Sequence, residues 1–211
     1  TETADGQLWM HGSGAVNADE SLFYLVSCTW TNSTVNADIT GEQRAFSGVV
    51  FINGSYYAVN RDLWTNGGFN RYTCTATKAA PTVWTEDFGA GAATEYAGTA
   101  TMMFLEAIDD VLYSTARTAD TSIVIVKRTI GAANAWTAQV TVKEGTDAVV
   151  RGFIKFHDRA NAVDFLLSTS YGLYWYDVSA TAITLLRRWQ TPSSVYTGKL
   201  WVTPTEDAVA F

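Results

Sequence analysis

Gly48-Val49-Val50-Phe51-Ile52-Asn53-Gly54-Ser55-Tyr56-Tyr57-Ala58-Val59 decides the fold class. Two apolar runs, rich in β-branched and aromatic residues, flank Asn-Gly. Both central residues of that pair tolerate positive φ, so the stretch predicts a β-hairpin with a two-residue turn. Paired apolar runs recur along the chain. They are Met102-Met103-Phe104-Leu105 with Val111-Leu112-Tyr113, and Phe153-Ile154-Lys155-Phe156 with Val163-Asp164-Phe165-Leu166. A last pair is Lys199-Leu200-Trp201-Val202 with Ala208-Val209-Ala210-Phe211.

A third kind of run starts at Gly6, Gly68, Ser122 and Gly172. A tryptophan follows each: Trp30-Thr31, Trp84-Thr85, Trp136-Thr137 and Trp189-Gln190, spaced 54, 52 and 53 residues apart. A period of that size marks a supersecondary unit repeated in line. Each unit has room for four short antiparallel strands, which is the arithmetic of a propeller blade. One blade cannot bury both faces, so blades must stack. The expected fold is therefore all-β, a β-propeller forming one domain over 1–211. Its blade units are 1–40 with 196–211, 41–92, 93–145 and 146–195. In the first unit the run from Gly6 is placed on the third strand, with Gly12 to Glu20 as a long loop. Tyr96 to Ile108 also reads as a short helix by its Ala, Met, Leu and Glu content; its place in the period favours strand.

Two forms of the ring are expected. The 211 residues amount to four periods, so the terminal strands complete a composite blade in a closed ring of four. Alternatively, a chain that opens without methionine and stops inside an apolar run is a segment of a larger ring. The opening Thr-Glu-Thr-Ala-Asp-Gly-Gln lacks the basic and apolar regions of a signal peptide, which is expected to be absent or removed.

Apolar residues at 47% against 17% charged give enough material for a substantial core and argue against disorder. The net charge of −7 repels phosphate backbones, so nucleic acid is not an expected partner. No apolar run is long enough for a membrane-spanning helix, so no membrane insertion is expected. Cys28 and Cys74 are read as buried free thiols. Asn32-Ser33-Thr34 and Asn53-Gly54-Ser55 match the glycosylation pattern, which arises by chance in an Asn/Ser/Thr-rich chain.

The repeat resembles generic β-propeller repeats, as found in secreted lectins, glycan-processing enzymes and bacteriophage tail and neck proteins. The Asp boxes of sialidases and the Trp-Asp ending of WD40 blades are missing, and the kelch glycine pair occurs once, at Gly67-Gly68. The hemopexin motifs do not align. The resemblance implies a non-catalytic structural or interaction module of a larger assembly, most concretely a phage tail or neck component. Other protein subunits would be its partners, and its location extracellular or in a virion. The alternatives are a secreted carbohydrate-binding propeller with glycans as partners, and a propeller-fold glycoside hydrolase.

Chemistry is sparse. His11 and His157 have no catalytic neighbours and read as turn or edge residues. The acidic pairs Asp19-Glu20, Glu86-Asp87 and Asp109-Asp110 offer carboxylates for glycoside cleavage, but adjacency does not supply the opposed geometry that reaction needs. No catalytic residue, metal site or cofactor is assigned. The candidate binding residues are Trp9, Tyr174, Trp175 and Tyr176. Trp9 and Trp175 each stand three residues after an aligned glycine, and their rings would either stack on sugars or pack between blades.

Overall fold

In the computed structural model, the described residues are 2–11, 22–33, 44–62, 71–86, 102–117, 122–130, 136–142, 149–158, 162–179, 182–190, 201–202 and 209–210. Their regular structure is entirely β. The first sheet is β1 (Trp9–His11), β2 (Leu22–Val26) and β3 (Thr29–Asn32). The second is β4 (Arg44–Ile52), β5 (Ser55–Asp62), β6 (Arg71–Thr77) and β7 (Thr85–Glu86). The third is β8 (Met102–Ile108), β9 (Val111–Arg117), β10 (Ile123–Thr129) and β11 (Thr137–Val142). The fourth is β12 (Val150–Asp158), β13 (Ala162–Thr169), β14 (Gly172–Val178) and β15 (Ile183–Gln190). A hairpin of β16 (Trp201–Val202) and β17 (Val209–Ala210) follows. Within each sheet, strands consecutive in sequence pair antiparallel.

The Asn53-Gly54 turn forms as expected, with φ of 50° and 81°. Met102–Ile108 is a strand paired with β9, so the helical reading fails there; its earlier part lies outside the described residues. The N-terminal region departs further from expectation. Among the described residues it contributes three strands, where two are expected. Leu22–Val26 pairs with both β1 and β3, so the run after Gly6 occupies the first strand of its sheet, not the third. The turn that turns β2 into β3 is Ser27-Cys28, with φ of 47° and 65°. Neither residue is a customary choice at positive φ, which is why the sequence conceals the hairpin.

The tryptophan ladder also divides. Trp84 and Trp136 are structurally equivalent. Each precedes the last strand of its sheet, and the next threonine donates from its hydroxyl to the facing strand: Thr85 to the Thr75 carbonyl and Thr137 to the Lys127 carbonyl, both at 3.3 Å. Trp30 lies within β3 opposite Leu25, and Trp189 near the far end of β15 opposite Leu173. These two share the spacing but not the place.

The four sheets stack face to face around three apolar cores. Trp9, Leu22, Val49, Tyr56, Ala58 and Trp84 fill the first. Tyr57, Leu105, Leu112, Val124, Val126 and Trp136 are central to the second. Tyr113, Ile123, Ile125, Phe153, Phe165, Leu167, Tyr174 and Tyr176 build the third. Apolar side chains leave both faces of the inner sheets, as repeated stacking demands.

Consecutive sheets also adjoin through their first strands, β4 beside β8, β8 beside β12 and β12 beside β16. The approach is close. Gly48 (φ 89°) sits in a bulge of β4, and a Cβ there would stand 2.7 Å from the Leu105 nitrogen. Phe104, in the facing bulge of β8, is also left-handed (φ 64°). Asn53 Nδ2 donates to Asp110 Oδ1 at 2.5 Å, tying the turns of two sheets together, and Lys155 Nζ donates to the Ala107 carbonyl at 2.7 Å.

Polar pins fasten the first sheet to the second. Trp84 Nε1 donates to Ser33 Oγ at 2.7 Å, and that hydroxyl donates to the Pro81 carbonyl. Asp5 accepts from the Tyr56 hydroxyl at 2.7 Å and meets Lys78 Nζ at 3.1 Å. Burial pushes the Asp5 carboxyl up, but hydrogen bonds from Tyr56, Thr3, Lys78 and the Gln7 amide outweigh it and hold the group below its ordinary value. Burial, then the Asp5 carboxylate, raises the Tyr56 phenol.

Candidate functional site

The face of the fourth sheet turned away from the third core is the candidate site; it is buried at Phe156, Asp164 and Leu166 and exposed along β15. β14 reads Gly-Leu-Tyr-Trp-Tyr-Asp-Val, and strand alternation sends Tyr174 and Tyr176 into the third core. Leu173, Trp175 and Asp177 take the other face. Neighbouring strands add to it by register: Leu166 and Arg187 oppose Trp175, Trp189 opposes Leu173, and Asp164 opposes both Phe156 and Asp177.

A bulge determines what β15 contributes. Tyr176 faces Leu185 and Trp175 faces Arg187, so Leu186 is an extra residue. Without that offset, Trp189 would turn toward the core, because a one-residue slip exchanges the two faces. With it, Trp175 and Trp189 lie nearly parallel, at an interplanar angle of 8° with centroids 6.4 Å apart. Phe156 tilts against Trp175 at 6.0 Å. The Arg187 guanidinium carbon stands 4.9 Å from the centre of the Trp189 ring, a cation–π contact. Arg188 goes to the opposite face, 5.1 Å over Tyr174.

Beneath the rings lies a buried carboxylate. Asp164 is 0% exposed, and its Oδ2 accepts from Trp175 Nε1 at 2.7 Å. The bond sets the direction of the indole, which is half-buried. Trp189 is 37% exposed. The face therefore offers two indoles, one of them oriented from below by the buried Asp164, and a guanidinium, an arrangement suited to stacking on a ligand's apolar surface while bonding its polar edge.

Of the four residues singled out in the sequence, only Trp175 reaches this face. Tyr174 and Tyr176 pack in the third core. Trp9 is 2% exposed in the first core, edge-on to Tyr56 at 4.9 Å and to Trp84 at 5.9 Å. It stands on the first strand of its sheet and Trp175 on the third, so the expected equivalence fails. The missed residues are Trp189, Arg187 and Asp164. A carboxylate amid Val-Asp-Phe-Leu-Leu was the available signal, since a charge in a doubly buried strand must have a partner.

The other candidates lie elsewhere. Asp109-Asp110 forms an exposed turn, with Asp110 bonded to Asn53. Burial first, then the Asp109 charge, raises the Tyr113 phenol. Glu86 pairs in register with Cys74 on the facing strand, and Asp87 and Asp19-Glu20 lie outside the described residues. His11 ends β1, and His157 is exposed on β12. Cys28 is exposed and free, which corrects the buried thiol expected there. Among the described residues no group of three or more His, Cys, Asp or Glu could hold a metal ion, and no helix is long and apolar enough to cross a membrane.

No protein-family model matches the sequence, and no curated protein does. Solved structures do. A protein of unknown function from Dyadobacter fermentans DSM 18053 is similar in fold, with a TM-score of 0.61 and 11% identity, over 97% of this chain and 71% of that one. A putative exo-beta-1,3-galactanase from Bifidobacterium bifidum s17 aligns with a TM-score of 0.44 and 14% identity, over 72% of this chain and 55% of that one. An exo-beta-1,3-galactanase from Phanerochaete chrysosporium gives 0.43 and 11%, over 68% and 38%.

Proposed function

We propose that this chain is a carbohydrate-binding module of β-propeller architecture, with its site on the outer half of that face of the fourth sheet. The parallel Trp175 and Trp189 indoles beside Arg187 carry this reading. The C–H faces of a sugar ring stack on an indole, and its hydroxyls bond a nearby guanidinium. In this architecture each sheet is a blade, and the adjoining first strands surround the central line. β16 adjoins the innermost strand, β12, while Trp189 and Arg187 on β15 are exposed. Asp164, buried and bonded to Trp175, acts as a positioning residue. That role sets binding above the glycoside-hydrolase alternative, which needs carboxylates facing substrate. Titrating the protein with a glycan panel tests the site. Intrinsic fluorescence shifts with a binding sugar, and Trp189→Ala weakens that sugar about tenfold or more, as loss of a central aromatic anchor does. A panel without a single binder defeats the proposal.

A second reading, an interaction module of a larger assembly, has its own observation. The first sheet's outer face is also apolar and open, with Leu8 and Met10 each 40% exposed and Trp30 43%. Within the stack such faces are covered. Closing the four sheets into a ring, inserting a further sheet, or docking another subunit would hide both outer faces and make Trp189 a packing residue. Nothing in the described residues ties such an assembly to a bacteriophage tail or neck. The molecular mass in solution and acrylamide quenching of Trp30 and Trp189 separate the two readings.

A further inference from the structure

The ligand's chemical class can be narrowed, on the premise that the fourth sheet's face binds carbohydrate. We infer that the face prefers saccharides bearing an anionic substituent, a carboxylate or a sulfate, held by Arg187. Three observations lead there. Arg187 is exposed and, among the described residues, its contact is with the Trp189 ring and not with an acid. Asp164, a buried acid on this face, is directed at the Trp175 indole. Arg188, the adjacent cation, lies on the opposite face over Tyr174. The guanidinium stacked on Trp189 thus keeps in-plane N–H donors for a ligand, in the fork that fits a planar carboxylate or a sulfate edge.

The face is also polarised along the strands. Asp177 and Asp164 lie toward one end, whereas Trp189 lies opposite Leu173 toward the other, with Arg187 opposite Trp175 between them. An acidic sugar stacked over Trp189 places its anion at Arg187 and its hydroxyls toward Asp177. The reverse orientation would set anion against carboxylate. A chain of net charge −7 repels anions at long range, so a preference for them must come from a local cation.

The test uses the full chain with oligogalacturonate and its methyl ester, and with a sulfated galactan oligosaccharide and its desulfated form. The first pair isolates carboxylate and the second sulfate on otherwise matched backbones. In calorimetric titration at low salt, the anionic member of at least one pair binds about tenfold tighter than its neutral partner, the worth of a charge-assisted hydrogen bond. Arg187→Gln brings that ratio to within about twofold, and Arg187→Lys keeps part of it, as a point charge without the fork should. Equal binding of both members of both pairs overturns the inference and leaves the site standing, as does a preference that survives Arg187→Gln. Binding of no saccharide overturns the site and the inference together.

Discussion

Trp84 and Trp136 are 0% and 3% exposed, whereas Trp30 and Trp189, at almost the same spacing along the chain, are 43% and 37% exposed. The inner pair stand just before the last strand of their sheets and face a neighbouring sheet. The outer pair stand within the last strands and point away from the stack. The period recurs in all four, but burial follows strand register and the presence of a sheet opposite. The same residue type thus serves as core in the middle of the molecule and as open surface at its ends.

The sharpest way to break this contrast is truncation. Trp84→Ala costs about 3–5 kcal/mol, because it leaves a cavity between two sheets and strands the Ser33 pin. Trp30→Ala costs within about 0.5 kcal/mol, the range of exposed sites. Urea unfolding monitored by far-UV circular dichroism reads both, and equal costs would refute the division into inner and outer positions. Trp189→Ala behaves like Trp30→Ala in stability and differs from it only in ligand binding.

Glycines give the next contrast. Gly48→Ala adds backbone strain to a clash with the Leu105 backbone and costs about 2–4 kcal/mol. Gly54→Ala, at a similar φ with open space around it, carries the strain alone, about 1 kcal/mol. Thermal melts of the two variants compare the inner contact with an outer turn.

Asp164→Ala removes the acceptor beneath Trp175 and costs about 1–3 kcal/mol, since it takes away the hydrogen bond to a charged acceptor that the half-buried indole makes. It also weakens ligand binding by freeing the ring. Asp164→Asn, which keeps an acceptor oxygen, retains more of both properties.

The smallest effect belongs to the joint between the first and second sheets. The folded-state pKa of Asp5 lies below its unfolded value, so its contribution is present above the unfolded pKa and is lost as pH falls through the folded one. Between about pH 5 and pH 2 the urea midpoint of the native protein falls further than that of Asp5→Asn. Parallel decline would remove Asp5 from the joint.

The second, third and fourth sheets were legible because their hairpins join apolar runs through turns that strand periodicity frames, as at Asn53-Gly54. β2 was hidden because Ser27-Cys28 turns the chain without glycine, asparagine or proline. Half of the tryptophan ladder misled because identity at a fixed interval does not encode register. The candidate face was harder to see. Ile-Thr-Leu-Leu-Arg-Arg-Trp-Gln does not alternate, so nothing in β15 announces which residues share a side with Trp175. Asp164 was visible as an acid among apolar neighbours, but its partner, an indole eleven residues on, emerges only from the pairing of β13 with β14.

The extra residue in β15 has a consequence for chain-length variation. Excising Leu186 would straighten the ladder and keep Arg187 opposite Trp175 and Trp189 opposite Leu173. Excising Arg188, two positions later, would draw Trp189 opposite Tyr174 and turn its ring to the core side. Two deletions of equal size, one residue apart from a shared neighbour, thus differ in kind: one trims the strand silently and the other inverts it. For anyone grafting a new last strand onto this sheet, Leu186 is where length can be adjusted, and the residues after it must be counted from Trp189 backward.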